Sequence, residues 1–212
     1  MLITSMNQTS MPGVLVAILA PDHEQQTVDV ANQIARVYDP LTDQTLGYNF
    51  LQVQKIDPEI SGNGALELSQ TQVTHLNAAL SQAGFKPELV LDTKPKFVVG
   101  YVEKAEPHPD SDHLLVTQTR VDHDQILQIV SGSPNMREHI FVVVAKVGAL
   151  MPSGQIIWPG ELRGVPSDGM ITSGRELHLI NAPQKKGALI LSPDFAPVGT
   201  PFSFEQGNKL FV

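Results

Sequence analysis

The chain contains no cysteine, and that absence removes disulfide frameworks, thiolate metal sites and thiol nucleophiles together. A zinc site would have to be built from histidine and carboxylate alone. No apolar run approaches the roughly 20 residues that a membrane-spanning helix needs. Residues 1–13 lack the basic start and continuous apolar stretch of a signal peptide, so a cytoplasmic location without membrane attachment is expected. Aromatic residues are scarce, at 6% of 212 residues with a single tryptophan. Basic residues are also few: 14 Lys and Arg stand against 22 Asp and Glu, for a net charge of −8. A surface attracting phosphate in bulk is thereby excluded. No Gly-x-x-x-x-Gly-Lys-Ser/Thr phosphate loop occurs, and Ser131, Ser133 and Ser167 sit in no Gly-x-Ser-x-Gly elbow. The chain does not read as an enzyme, and no cofactor or metal is expected.

What is present is enough apolar material, 42% of residues, to fill one large core or two ordinary ones. The acid is unevenly spread. Residues 1–95 hold 4 Lys/Arg against 10 Asp/Glu (4 − 10 = −6), and residues 96–212 hold 10 against 12 (10 − 12 = −2). In the first part, the run 14–20 between Gly13 and Pro21 reads as a buried strand. Residues 34–38 and 48–53 alternate around an Asp39-Pro40 turn and read as an antiparallel pair. Apolar residues at 73, 76, 79, 80 and 83 recur at helical spacing, with Ser69 to cap the start and Gly84 at the end. Polar Asp92-Thr93-Lys94-Pro95-Lys96 marks a domain edge. An acidic α+β domain over residues 1–92 is the expectation. Beyond it, strand-like runs at 97–102, 114–121, 126–130 and 140–144, separated by Gly/Pro breaks, predict an all-β barrel over residues 96–212.

Four motifs of the second part could carry chemistry. His108-Pro109-Asp110-Ser111-Asp112 reads as a stiffened turn, and its alternative as a metal site through His108, Asp110, Asp112 and His113 matches no zinc spacing. Ser131-Gly132-Ser133-Pro134-Asn135 ends a strand with small residues, two hydroxyls and an amide. It suits either a surface that meets a nucleotide or a tight turn in which Asn135 caps the next segment. Leu162-Arg163-Gly164-Val165-Pro166-Ser167-Asp168-Gly169-Met170 sets a guanidinium in a glycine-bounded loop, where Arg163 either meets a phosphate or pairs internally with Asp168 or Glu161. Ser173 and Arg175 follow closely, and Lys146 precedes Val147-Gly148-Ala149-Leu150-Met151-Pro152-Ser153-Gly154. The candidate RNA-binding residues are thus Arg163, Arg175, Lys146, Asn135, Ser131, Ser133, Ser167 and Ser173. Among the few rings, Phe97 and Phe141 read as core, while Tyr101 and Trp158 are left as other candidates.

These motifs, in this order, resemble the tRNA-binding OB-fold domain of free-standing bacterial tRNA-binding proteins. The same domain stands in the phenylalanyl-tRNA synthetase β chain and at the C-terminus of some methionyl-tRNA synthetases. The resemblance covers the C-terminal half and implies an OB barrel that binds tRNA without catalysis. The low aromatic content fits recognition by shape and backbone. This chain departs from the family pattern at His113, where a lysine is usual, and at Ser131, where a cysteine is common. Relatives of the barrel also imply a homodimer, and the partner expected of the N-terminal domain is an aminoacyl-tRNA synthetase or another protein. Two other readings stand beside this one: a protein-interaction or oligomerisation module built on a residual OB scaffold, and an N-terminal fragment of the synthetase β chain.

Overall fold

The computed structural model describes residues 1–211, which form two compact units, Met1–Thr93 and the remainder from Lys94. The first unit is largely β. Its strands are β1 (Ile3–Asn7), β2 (Met11–Ile18), β3 (Thr27–Ala31), β4 (Ile34–Tyr38), β5 (Thr45–Phe50) and β6 (Gly64–Leu66). They form one antiparallel sheet in the order β3-β4-β5-β2-β1-β6. The expected pairing of β4 with β5 is present. Its turn is built by Asp39, whose carboxylate accepts the Leu41 amide at 2.8 Å and the Thr42 hydroxyl at 2.7 Å.

One α-helix, α1 (Gln70–Gln82), packs Val73, Leu76 and Leu80 into a core with Leu15, Ile34, Tyr48 and Phe50. Ser69 and Gln72 cap its start reciprocally, each side chain accepting the other's backbone amide. Gly84, at φ +81°, lets the Phe85 amide fold back onto the Leu80 carbonyl at 2.9 Å and close the helix. With one α-helix packed against six strands, the expected α+β domain is weighted towards β: a sheet with a helical cover. The strands that escaped the sequence reading explain the difference. β1 lies in the polar N-terminal stretch, and β3 is an edge strand whose Val28 and Val30 are exposed, so neither shows a buried apolar run.

The second unit contains β7 (Phe97–Pro107), β8 (Leu115–Arg120), β9 (Ile126–Ser131), β10 (Phe141–Lys146), β11 (Gly160–Leu162), β12 (Val165–Ser167), β13 (Gly169–Ile171), β14 (Ile190–Leu191) and a one-turn helix α2 (Phe204–Gly207). Five strands pair antiparallel in the order β13-β10-β7-β8-β9, β14 adds to β10, and β11 and β12 form a separate hairpin. The sheet buries both faces. Val98, Val102, Val142 and Val144 join Leu127, Ile129 and Ile171 in one core, while Val99, Val143 and Ala145 point into a second. That is why β10 reads as an unbroken apolar run instead of an alternating one.

The expected barrel does not close by a continuous ladder. The two ends of the sheet meet through one backbone hydrogen bond, from the Asp168 amide to the Gln128 carbonyl at 2.9 Å, and through side chains of Gln128 and Ser167. The unit is therefore barrel-like. Gly169 stands at this seam, where a Cβ would press to 3.0 Å from the Ala145 carbonyl oxygen.

Candidate nucleic-acid interface

The β11–β12 hairpin turns on two residues, Arg163 at φ 47° and Gly164 at φ 77°, the left-handed pair that a tight two-residue hairpin demands. Its exposed tip is fastened to the distant 108–113 loop. The Arg163 guanidinium donates to the Asp110 carbonyl at 2.8 Å, and the buried His108 ring sets Nε2 3.0 Å from the Leu162 carbonyl. His108 Nδ1 accepts the Asp110 amide at 3.0 Å, so the ring is fixed as the Nε2–H tautomer that donates to Leu162. Arg163 thus takes neither of the ion pairs considered for it, with Asp168 or Glu161. Its charge also reaches Asp112, whose carboxyl is held below the usual range chiefly by the His113 ring at 2.8 Å and only weakly by Arg163.

Beside the hairpin lies an open cleft of about 470 Å³, bounded by the end of β9, the 155–162 segment, the start of β13 and the segments at 173–176 and 186–187. Five of the eight predicted residues line it: Ser131, Ser133, Ser167, Ser173 and Arg175. Three of these serines act mainly on the backbone. Ser131 Oγ accepts the Ser133 amide at 3.3 Å, and Ser167 Oγ accepts the Val130 amide at 3.1 Å and donates to the Gly169 carbonyl at 3.2 Å. Ser173 and Glu176 cap a single turn: the Glu176 carboxylate accepts the Ser173 amide and hydroxyl at 2.8 and 2.7 Å, and Ser173 Oγ accepts the Glu176 amide at 3.1 Å. This turn carries Arg175 on its outer side, half-buried and lining the cleft. Among the described residues its guanidinium makes no hydrogen bond or ion pair. The Ser-x-x-Glu spacing at 173–176 is itself a capping signal in the sequence.

Asn135 and Lys146 do not line the cleft. Asn135 clamps its rims instead: the side-chain amide donates to the Ala188 carbonyl at 2.9 Å and its oxygen accepts the Ala188 amide at 2.8 Å. It therefore ties the Ser133 loop to Lys186-Gly187, and it does not cap the segment that follows it. The Lys146 ammonium is consumed by an internal ion pair, 2.7 Å from Asp122 with both side chains 12% exposed. Burial alone would raise the Asp122 carboxyl, but the hydrogen bond and charge of Lys146 outweigh it and hold the group below its usual range.

Sequence reasoning missed Lys186, an exposed cation on the cleft rim, because nothing in its local sequence links it to residue 131 or 175. Trp158, half-buried, also lines the cleft. Phe97 and Phe141 pack against the core, as read from the sequence, with Phe97 edge-on to Phe204 at 5.4 Å. Tyr101 packs against Phe141 at 5.1 Å and lies under Arg120.

Comparison with known proteins places this geometry. Residues 97–201 match a family described as "Putative tRNA binding domain", and residues 21–92 match a domain of unknown function, DUF4479. The "Putative tRNA-binding protein YtpR" of Bacillus subtilis is 42% identical over 191 residues, covering 90% of this chain and 94% of that protein. The phenylalanine–tRNA ligase β subunit of Trichormus variabilis is 40% identical over 139 residues, covering 64% of this chain and 16% of the subunit. That of Prochlorococcus marinus is 47% identical over 118 residues, covering 54% of this chain and 14% of the subunit. The similarity to the synthetase subunits is thus partial on both sides, whereas that to the Bacillus protein runs through both units. A two-unit chain with a DUF4479 match ahead of a tRNA-binding-domain match, similar throughout to the Bacillus protein, belongs to the YtpR-like family.

Proposed function

We propose that this chain binds tRNA without transforming it, through the barrel-like unit at residues 96–212, which takes the OB form. The observation that carries the reading is a coincidence of position. The region matching the tRNA-binding family holds a cleft whose rim presents the uncommitted cations Arg175 and Lys186, beside a hairpin tip that projects Arg163. Cations held on capped turns and anchored hairpins suit phosphate contacts that fix position, and the small cationic area suits recognition of a folded RNA by shape. Among the described residues the cleft lining holds no histidine, and its hydroxyl–carboxylate contact, Ser173 to Glu176, is spent on capping a turn, which supports the RNA as a partner and not a substrate. Cytoplasmic residence follows from that partner.

Titration with tRNA and with an unstructured RNA of equal length, at several salt concentrations, tests the reading. tRNA should bind the tighter of the two, and log affinity should fall with log salt along a slope of a few units, in line with a few neutralised phosphates. Absence of binding to either RNA at low salt overturns it.

A further inference from the structure

We propose that the cleft is a subsite for one unpaired nucleotide, with Trp158 as the platform for its base and Arg175 and Lys186 as contacts for its phosphate. The proposal rests on the RNA-binding reading and names the part of the RNA that this site takes.

Trp158 carries the argument. It belongs to none of the three buried cores, and it joins none of the ring pairs that Phe97, Tyr101, Phe141, Phe195, Phe202 and Phe204 make among themselves. Among the described residues its indole N–H makes no hydrogen bond, so no polar contact explains a half-buried ring in an open cleft. The residues that share the cleft lining with it divide by chemistry. Ile156 and Met170 add apolar surface, and Ser133 and Gln155 bring a hydroxyl and an amide whose side chains have no partner among the described residues. The volume of about 470 Å³ falls within the roughly 300–1,000 Å³ of small-ligand sites.

Charge narrows the ligand further. Arg175 and Lys186 share the lining with Glu161 and Glu176, so the cleft is not a cationic trough for a run of phosphates. One Glu176 carboxylate oxygen is already occupied by the Ser173 amide and hydroxyl, and Glu161 is exposed. Such a site favours a ligand with one phosphate and a large flat apolar face. A base released from pairing has that form, whereas a duplex backbone offers phosphates without an accessible face.

The chain's single tryptophan makes its fluorescence, excited at the red edge where the three tyrosines do not absorb, a report on this cleft. The full-length protein is titrated with AMP and CMP, with ribose 5-phosphate and with inorganic phosphate. The two nucleotides should change Trp158 emission saturably, and the base-free phosphates should bind far more weakly. A hairpin RNA with a single-stranded overhang should outcompete the same hairpin made blunt, which separates an RNA source from a free nucleotide. Trp158→Ala should weaken overhang binding by roughly 5- to 150-fold, the span for one stacked base, and Trp158→Phe should restore most of it.

If tRNA binds with Trp158 emission unmoved and Trp158→Ala retains full affinity, the subsite is overturned while the tRNA reading stands. If nucleotides move the emission but no RNA binds, the cleft is a mononucleotide site and the tRNA reading fails. Equal binding of nucleotides and ribose 5-phosphate overturns the role of the ring.

Discussion

His108 and Leu162, 54 residues apart in sequence, are joined by a hydrogen bond of 3.0 Å from an imidazole to a main-chain carbonyl, and this bond holds the tip of the hairpin that carries Arg163. A buried side chain thereby positions an exposed one. His108→Ala removes the bonds to Leu162 and Asp110 together with a packed ring. It should cost about 1–3 kcal/mol in denaturant unfolding, the scale of an unsatisfied buried group. RNA affinity should fall as well, although His108 itself is out of reach of any ligand.

The two arginines should separate in their effects. Arg163→Asn keeps a residue that tolerates the left-handed turn while deleting the charge, and Arg175→Gln deletes a charge that has no internal partner. Each should lower tRNA affinity and reduce the salt slope by about 1, measured by filter binding across ionic strengths. Only Arg163→Asn should also loosen the 108–113 loop, visible as faster amide exchange at Asp110.

Lys146 belongs to stability and not to binding. Lys146→Met strands the Asp122 carboxylate and should cost about 3–5 kcal/mol, while Lys146→Met with Asp122→Leu should recover most of that loss. Because the folded Asp122 carboxyl lies below its usual range, its contribution is complete above the ordinary carboxylate value. It is lost as pH falls through the depressed one. Thermal melts between neutral and strongly acid pH should show a smaller loss in the double variant than in the native chain, since the other depressed carboxyls, such as Asp39 and Asp57, remain.

Tyr48 governs the alkaline side. Burial, reinforced by its hydrogen bond of 2.7 Å to Glu88, pushes its phenol up to about 12. A raised folded value means that the contribution is full below the ordinary phenol value of about 10 and is lost as pH climbs towards 12. Phenolate absorbance should therefore show two of the three tyrosines, Tyr38 and Tyr48, ionising above the ordinary value, the later step together with unfolding of the first unit, and Tyr48→Phe should remove that later step.

The sequence was most legible where the physics is local. Helix α1 announced itself through apolar spacing, Ser69 and Gly84, and the β4–β5 hairpin through alternation around Asp39. The four longest strands of the second unit stood out as strand-like runs between Gly/Pro breaks, β10 most of all because its apolar residues are contiguous. Edge and corner strands such as β3, β11 and β13 were silent, since an exposed or very short strand has no buried face to mark it. The cleft was half legible. Ser131, Ser133, Ser167, Ser173 and Arg175 lay in recognisable motifs, but Trp158 and Lys186 join them only through the fold. Lys146 was misleading for the opposite reason: a cation's sequence position does not disclose a carboxylate 24 residues away that neutralises it.

Asn135 spends both ends of one amide on the backbone of Ala188. The lips bearing Ser133 and Lys186 are consequently latched, because they cannot part by breaking one bond at a time without leaving the other misaligned. The mouth of the cleft is thus held at one width by a single side chain whose grip is on main chain. Its width is set at position 135.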